Sequence, residues 1–417
     1  MSPNRHTLVE VLTEKLADRI RRGGPITFAE FQDAALYDPE SGFFTTGGGA
    51  GRVGGDFVTS PEVGSLFGTL VARYLDDAWR RLGEPDPFVV VEAGAGRGKL
   101  AADVLSAVPA CAPALRYVLV ERAAILRTEQ RRLLRIEPAD EALGPVLRSA
   151  DPDEDEPQRS RGRRPGRRSV ATQEDDELAP GTGPIVASID ELPGIAFEGV
   201  VVANELLDNL PVRIVERSDG RWVEVRVGLA GDDLVEVLID ADLGLAAEAD
   251  VVAAAAPLEV GGRLPVPTAI ADWLATVAGV LRRGEVLLVD YAGDGAGLAA
   301  RGQRQWLRTY RRHDRGGDPL VAPGSQDITC DVPLEYLRST AIRAGFVVAE
   351  ESSQAAWLTD LGVEALVEEG RAVWRERAHL GDLAAIAGRS RVGEAAALLD
   401  PDGLGAHQVI TLERTVR

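Results

Sequence analysis

The chain has 417 residues, of which 45% are hydrophobic and 27% charged, so it can form two or three domains, or one large domain with insertions, and is unlike a fibrous or wholly disordered protein. Its 46 basic and 66 acidic residues give a net charge of −20, which argues against nucleic acid as a partner. Two cysteines and four scattered histidines exclude a disulfide framework and a cysteine-rich zinc site, so we expect no metal centre.

The low cysteine content and the hydropathy pattern together predict a reduced, cytoplasmic setting. The longest apolar stretches, such as the one from Val251 to Leu258, are far shorter than the ~20 residues needed to cross a bilayer. The N-terminal segment has apolar residues at helical spacing and lacks the continuous apolar core of a signal peptide. We therefore expect neither a membrane span nor export.

Two helices and a glycine-rich loop are predicted at the start of the chain. The first helix is amphipathic and ends at a Gly-Gly-Pro turn; the second covers Phe28–Leu36, with Thr27 as its N-cap and Glu30 completing a capping box. Residues 41–61 are rich in glycine and phenylalanine, which favours a lid that packs onto a neighbouring surface. We expect residues 1–87 to form this helical and lid region.

Unbroken apolar runs then alternate with helical patterns. Four of these runs are predicted as buried parallel strands: Phe88–Val91, Tyr117–Val120, Val200–Ala203 and Val286–Val289. Two later runs, Phe346–Glu350 and Gln408–Leu412, are predicted as closing strands. This alternation predicts an α/β fold with a doubly wound, Rossmann-like sheet over residues 88–417.

Three segments interrupt that pattern. Residues 151–180 hold nine acids and six arginines and almost no apolar side chain, which predicts a disordered insertion rather than a docking segment for a partner. Three alternating runs within residues 212–270 predict a small antiparallel strand insertion. The basic stretch from Arg308 to Arg315 is interpreted as a solvated loop, the alternative being a surface that faces an acidic partner.

A glycine loop follows the first predicted strand and opens a helix, as nucleotide-binding loops do. A phosphate-binding Walker A loop is excluded because Ala93 and Leu100 stand where it needs Gly and Ser or Thr. A dinucleotide fingerprint is disfavoured, since Gly98 comes one residue too early to complete G-x-G-x-x-G. Neither ATP hydrolysis nor NAD chemistry is the preferred interpretation.

The pattern E-x-G-x-G-x-G is instead typical of class I S-adenosylmethionine (SAM) methyltransferases. Glycines let the backbone pass close to the ligand, and the helix N-terminus offers N–H groups to its carboxylate. Glu121 follows the second strand, where a carboxylate can accept both ribose hydroxyls. The predicted SAM-binding residues of this part of the chain are Glu92, Gly94, Ala95, Gly96, Gly98 and Glu121.

At the level of whole blocks, the sequence resembles the MidA-like SAM-dependent methyltransferases, a family that includes the mitochondrial complex I assembly arginine methyltransferase. The resemblance rests on four blocks: Gly55–Glu62, Glu92–Gly98, Asn204–Val212 and Ala322–Thr329. It implies a class I methyltransferase fold and methyl transfer to a protein side chain, arginine by family. It also implies a respiratory-complex subunit as the protein acceptor; the oligomeric state is left open.

Side chains after the third strand are the candidates for the reaction itself. Asn204 is placed to bind SAM near the methyl group, and Glu205 and Asp208 to hold a cationic acceptor, because an arginine guanidinium needs a carboxylate to orient it. Asp56, in the lid block, completes the predicted catalytic set. A helix cap at Asn204 and a simple surface loop at the lid are the structural alternatives.

Two other functions remain open from the sequence alone. One is methylation of a small molecule, and the other is a SAM-binding assembly factor without essential catalysis. The presence of the glycine loop, Glu121 and the Asn204 block favours an enzyme over a scaffold, because a scaffold has no physical need for them.

Overall fold

The computed structural model describes residues 5–49, 58–144, 181–254, 258–311 and 314–415. Its strands are β1 (Ile26–Thr27), β2 (Phe88–Ala93), β3 (Leu115–Val120), β4 (Ile185–Ile189), β5 (Phe197–Asn204), β6 (Arg213–Ser218), β7 (Arg221–Ala230), β8 (Asp233–Asp240), β9 (Arg263–Val266), β10 (Leu281–Asp290), β11 (Ala292–Gly293), β12 (Leu307–Arg311), β13 (Asp314–Arg315), β14 (Asp327–Cys330), β15 (Val332–Pro333), β16 (Val347–Ser353) and β17 (Gln408–Arg414).

The α-helices are α1 (Arg5–Gly23), α2 (Phe28–Tyr37), α3 (Ser60–Val63), α4 (Ser65–Arg81), α5 (Lys99–Ser106), α6 (Ala124–Leu133), α7 (Ala139–Leu143), α8 (Leu243–Ala253), α9 (Thr268–Val280), α10 (Gly295–Ala300), α11 (Gln303–Trp306), α12 (Leu334–Arg343), α13 (Gln354–Asp360), α14 (Val363–Arg377) and α15 (Leu383–Leu398). Within the described residues, no helix is long and apolar enough to span a membrane.

A seven-stranded sheet forms the centre of the fold, in the order β16-β17-β10-β5-β2-β3-β4. The five strands from β10 to β4 are parallel, and β17 runs antiparallel to both of its neighbours. The six predicted strand runs all lie in this sheet, so the predicted doubly wound α/β fold is confirmed. The sequence reading missed β4, a five-residue strand that follows the charged segment.

Helices cover both faces of this sheet because side chains of successive strand residues point to opposite sides. Val90 and Val200 pack in a core with α4, α5 and the C-terminal helices α13–α15. Val89 and Val201 pack in a second core with α7, α9 and α12. All six residues of β2 are buried, which explains why the run reads as continuously apolar rather than alternating.

A second sheet, in the order β1-β7-β6-β9 with β8 on β7, has its own core together with α1 and α2. The three alternating runs predicted as an antiparallel insertion are β6, β7 and β8, and their pairing is confirmed. The capping box of α2 is also present, with the Thr27 and Glu30 side chains each accepting a backbone N–H. The sequence analysis missed β1 and β9, which are two and four residues long.

The basic stretch predicted as a solvated loop is partly strand, which corrects that interpretation. β12 pairs with β14 on one side and β13 on the other, forming a three-stranded antiparallel sheet. Leu307 and Thr309 are buried, while Arg308 and Tyr310, which alternate with them, are half-buried, so the strand follows a two-residue period from 307 to 310.

Two of the predicted features fall partly or wholly outside the described residues. These are the lid, because residues 50–57 are not described, and the charged insertion at 151–180. The division into residues 1–87 and 88–417 stays a prediction; α4, from the first part, packs directly on the seven-stranded sheet of the second.

Candidate active site

A cleft of about 850 Å³, counting the space at its open mouth, lies at the carboxyl ends of β2 and β5. This is where ligands bind in doubly wound folds. Seven residues predicted from the sequence line it, namely Glu92, Gly94, Ala95, Gly96, Glu121, Asn204 and Glu205. Gly98 and Asp208 do not line the cleft, and Asp56 lies outside the described residues.

The glycine loop forms the floor of the cleft between β2 and α5. The N–H groups of Gly94 and Ala95 both donate to the Val120 carbonyl, at 2.9 and 3.0 Å, which ties the loop to the end of β3. Gly96 has a φ of +53°, and a Cβ built there meets no protein atom within 4 Å. The loop therefore leaves open space at Gly96 that a closely packed ligand can use.

Gly98 has a structural part in this loop rather than a place on the cleft wall. It is the N-cap residue of α5, with a φ of +78° that favours glycine. A Cβ at this position would lie 3.1 Å from Leu134 and 3.3 Å from Gln130. Gln130 also donates to the Gly96 carbonyl at 2.8 Å, a loop contact that the sequence analysis missed.

Glu121 is buried beside the loop and is held by two backbone donors. Its Oε2 accepts from the N–H of Gly96 at 2.9 Å, and its Oε1 accepts from that of Ala123 at 2.8 Å. Burial raises the pKa of this carboxyl, and the two backbone hydrogen bonds oppose that rise. The carboxylate thus lies at the cleft wall, held in position by two backbone donors.

Replacing Glu121 by alanine is expected to weaken SAM binding by roughly 1–3 kcal/mol, the range for hydrogen bonds to a charged group. The Gly96 N–H also loses its acceptor in this variant. Calorimetric titration with SAM measures the effect. An unchanged affinity would show that Glu121 only supports the loop.

Glu92 lies under the loop and is 5% exposed. It accepts a hydrogen bond from the Tyr117 hydroxyl at 2.7 Å. Burial raises its pKa to about 8, so the carboxyl is largely protonated at neutral pH in the free protein. A cationic group bound beside it, such as the amino group of SAM, would favour the ionised form.

Glu205 follows β5 with a φ of +51°, a left-handed conformation that is strained for a residue other than glycine. Its N–H donates to the Val289 carbonyl at 2.8 Å, which fixes this turn. Its Oε1 accepts from the Ser60 N–H at 3.1 Å and from the Asn204 side chain at 3.4 Å. The strained turn therefore places a half-buried carboxyl at the cleft.

The pKa of the Glu205 carboxyl is raised to about 8, chiefly by burial and secondly by the neighbouring charge of Asp208. A carboxyl with this pKa can accept a proton at slightly alkaline pH and hold it. Asn204, next to it, has a buried Oδ1 with no hydrogen-bond partner among the described residues. That unpaired atom fits a ligand donor in the cleft.

Asp208 lies behind this wall, on the 3₁₀ turn Leu207–Asn209. Burial raises its pKa to about 7, although the positive charge of Arg308 opposes the rise. Its Oδ1 is buried without a hydrogen-bond partner among the described residues. Its predicted direct contact with the acceptor therefore requires the acceptor to reach past the cleft wall.

Asp290 and Ser60 also belong to this site, and the sequence analysis missed both. Asp290 ends β10 and accepts from the Leu207 N–H at 2.7 Å. Burial and the charges of Asp208 and Glu205 raise its pKa well above its ordinary range. Asp290 could have been predicted in the same way as Asn204, because each is the last residue of a central parallel strand and ligands bind at the carboxyl ends of such strands.

Replacing Glu205 by glutamine is expected to change how stability depends on pH. The carboxyl has an ordinary pKa of 4.5 and a pKa of about 8 in the fold, so its ionisation destabilises the protein progressively as pH rises between these values. The variant should gain on the order of 2–4 kcal/mol relative to the parent protein between pH 5 and pH 9.

Urea unfolding at several pH values measures this difference. Glu14→Gln is the matched control, because it makes the same chemical change on the exposed side of α1. Parallel pH profiles for the parent protein and Glu205→Gln would contradict the burial of an ionisable carboxyl at this position.

A family model and several named proteins match this chain. A family model for S-adenosyl-L-methionine-dependent methyltransferases matches residues 70–351. The Drosophila melanogaster protein named protein arginine methyltransferase NDUFAF7 homolog, mitochondrial, is 28% identical over 344 residues, or 81% of this chain and 71% of that one. The Homo sapiens protein arginine methyltransferase NDUFAF7, mitochondrial, is 28% identical over 337 residues, covering 80% and 69% respectively.

A solved structure supports the same fold. The Burkholderia thailandensis protein crystallised with S-adenosyl-homocysteine superimposes with a TM-score of 0.76 at 27% identity, covering 100% of this chain and 95% of that one. The curated relatives are named as mitochondrial proteins, so the expected cytoplasmic setting, which rested on cysteine content and hydropathy, is wrong. The family match spans more than half of the chain, and the protein therefore belongs to the S-adenosyl-L-methionine-dependent methyltransferases, with SAM as its methyl donor.

Proposed function

We propose that this enzyme methylates a guanidinium nitrogen of an arginine in a protein acceptor. The observation that carries the proposal is Glu205, which lines the cleft half-buried and whose carboxyl has a pKa raised by desolvation to about 8. The names of the relatives, which are protein arginine methyltransferases at 28% identity, support the same substrate class.

The chemistry explains why such a carboxyl suits this acceptor. SAM supplies an electrophilic methyl group, so the protein must mainly align the acceptor nitrogen and take up the proton that leaves. A guanidinium has a pKa above 12 and is cationic both before and after the reaction, so one N–H proton must leave for the methyl group that is added. A carboxylate beside it orients the planar group and receives the proton.

The contacts of Glu205 suit that task. Its hydrogen bonds with Ser60 and Asn204 both fall on Oε1, and we assign Oε2, for which the described residues show no hydrogen bond, to the acceptor. The backbone hydrogen bond from Glu205 to the Val289 carbonyl holds the start of this side chain at the cleft. Asn204, Glu205, Asp208 and Asp56 remain proposed site residues, and Asp208 acts on the acceptor only if the guanidinium reaches behind the wall.

Methyl transfer from methyl-deuterated SAM tests the proposal. The purified enzyme is incubated with a protein extract from cells that lack it, and deuterated methyl groups are located by peptide mass spectrometry. Labelled arginine is expected, with a respiratory-complex subunit as the acceptor that the family resemblance implies. Label only on other side chains, or only on small molecules, would contradict the arginine assignment.

A further inference from the structure

A wide groove lies on the three-stranded sheet, apart from the cofactor cleft. It holds about 1580 Å³ of empty space, counted to its open mouth. Residues 302–305, 307–309 and 315–319 line it, together with Glu236 and Arg263. Residues of the basic stretch therefore form part of its wall. The strand pairing of β12 and β13 does not require the arginine side chains that line the groove, and the proposed chemistry does not use them.

The groove is basic on a protein whose net charge is −20. Four arginines and two carboxylates line it: Arg263, Arg304, Arg308 and Arg315, against Glu236 and Asp318. Two of these arginines already have partners, since Arg263 pairs with Glu216 and Glu236 at 2.7 Å, and Arg308 pairs with Asp331 at 2.6 Å.

The other two, Arg304 and Arg315, are exposed and make no ion pair with any described residue. Arg315 donates to the Arg304 backbone carbonyl, which holds the two residues side by side. Two exposed arginines without an ion pair among the described residues attract an anionic ligand to this part of the surface.

Contacts between neighbouring elements join the inner wall of the groove to the wall of the cofactor cleft. Arg308 lies on β12 in this wall, 5.0 Å from the centre of the Tyr291 ring, and its charge opposes the rise in the pKa of Asp208. β12 pairs with β14, and the β14 residues Asp327 and Ile328 accept hydrogen bonds from the Asn209 side chain, at 3.0 and 3.2 Å. Asn209 in turn lines the cofactor cleft.

We propose that this groove binds an acidic segment of the methyl acceptor, with aspartate or glutamate side chains within a few residues of the arginine that is methylated. The inference rests on the proposed function, because it assigns the groove to the same acceptor. Carboxylates of that segment pair with Arg304 and Arg315, and the chain continues along Arg308 toward Asp208 and Glu205.

Nucleic acid is the other polyanion that a basic groove can hold. The described lining residues include no tryptophan, tyrosine or phenylalanine on which bases could stack. Steering by net charge also works against a phosphate backbone, since the protein as a whole is strongly acidic. These observations favour a peptide with a few carboxylates.

Fluorescence anisotropy with two synthetic peptides tests the proposal, in the presence of S-adenosyl-homocysteine. Each peptide has one central arginine, flanked by aspartates in one and by asparagines in the other. We expect the parent protein to bind the aspartate peptide about 3- to 30-fold more tightly, as two exposed ion pairs allow. The double variant Arg304→Glu, Arg315→Glu should lose that preference.

Arg282→Glu is the matched control, because it reverses an exposed arginine at the amino end of β10, away from both sites. It should keep the preference for the aspartate peptide. Equal binding of the two peptides by the parent protein, an unchanged preference in the double variant, or displacement of the aspartate peptide by an RNA oligonucleotide at equal concentration would overturn the proposal.

The outcome is separable from that of the methylation experiment. If the aspartate preference depends on Arg304 and Arg315 while no arginine is methylated, the proposed function fails and the groove remains an acidic-peptide site. If arginine is methylated and the double variant binds both peptides as the parent does, the function stands and the groove assignment fails.

Discussion

Replacing Glu205 by glutamine is expected to lower methyl transfer to an arginine acceptor by roughly 10²- to 10⁴-fold, the range for loss of one positioned proton acceptor or electrostatic partner. Glutamine keeps the shape and can still accept from the Ser60 N–H, so the turn and the cleft wall are retained. What it loses is the charge that orients the guanidinium and the capacity to take up its proton.

The dependence of kcat/KM on pH provides a second test of Glu205. The pKa of about 8 for Glu205 means that kcat/KM of the parent enzyme should rise through slightly alkaline pH, as the carboxyl ionises. The variant should lack that rise. Single-turnover rates on the acceptor found by mass spectrometry are the appropriate measurement, with SAM affinity determined on the same preparation.

A control variant and two alternative results complete the test of Glu205→Gln. Glu14→Gln, the same change on an exposed helix face, should leave turnover at the parent level. If Glu205→Gln loses SAM binding in step with turnover, Glu205 is a ligand of the methyl donor. If it loses neither, the residue serves only the strained turn and the Ser60 contact.

Replacing Gly96 by valine is expected to abolish SAM binding. A Cβ at Gly96 meets no protein atom within 4 Å, so the branched side chain would extend into the space that the ligand needs. Calorimetric titration with SAM, on protein whose fold has been checked by circular dichroism, measures the effect. Full SAM affinity in a folded variant would refute the assignment of the cleft.

Valine at Gly96 also has a backbone cost, because φ there is +53°. Gly231→Val separates this cost from the loss of ligand space. Gly231 lies in the turn between β7 and β8 with a φ of +67°, and a Cβ there also meets nothing within 4 Å. That control should show a similar loss of stability with SAM affinity unchanged.

The sequence was sufficient for features that depend on neighbouring residues in the chain. The buried strands could be read from apolar runs, the glycine loop from its spacing, and the capping box of α2 from Thr27 and Glu30. Glu121 was placed correctly on the cleft wall because it directly follows a strand that could be predicted.

Features that depend on contacts between distant segments were not predictable in this way. Ser60 and Glu205 are 145 residues apart, and Leu207 and Asp290 are 83 residues apart, yet each pair is joined by a hydrogen bond. The positive φ of Glu205 has no local sequence signal, since glutamate rarely adopts it. Asp208 was expected in the cleft because only the fold reveals that its turn points behind the wall.

The position of β17 in the central sheet has a consequence for biosynthesis. This strand, from residues 408–414, lies between β10 and β16, both of which are made much earlier. Until it leaves the ribosome, β10 keeps one unpaired edge of backbone donors and acceptors, and β16 lacks the strand it pairs with in the described sheet. A nascent chain at that stage can pair with another copy through those edges, so its solubility depends on protection until the last strand is inserted.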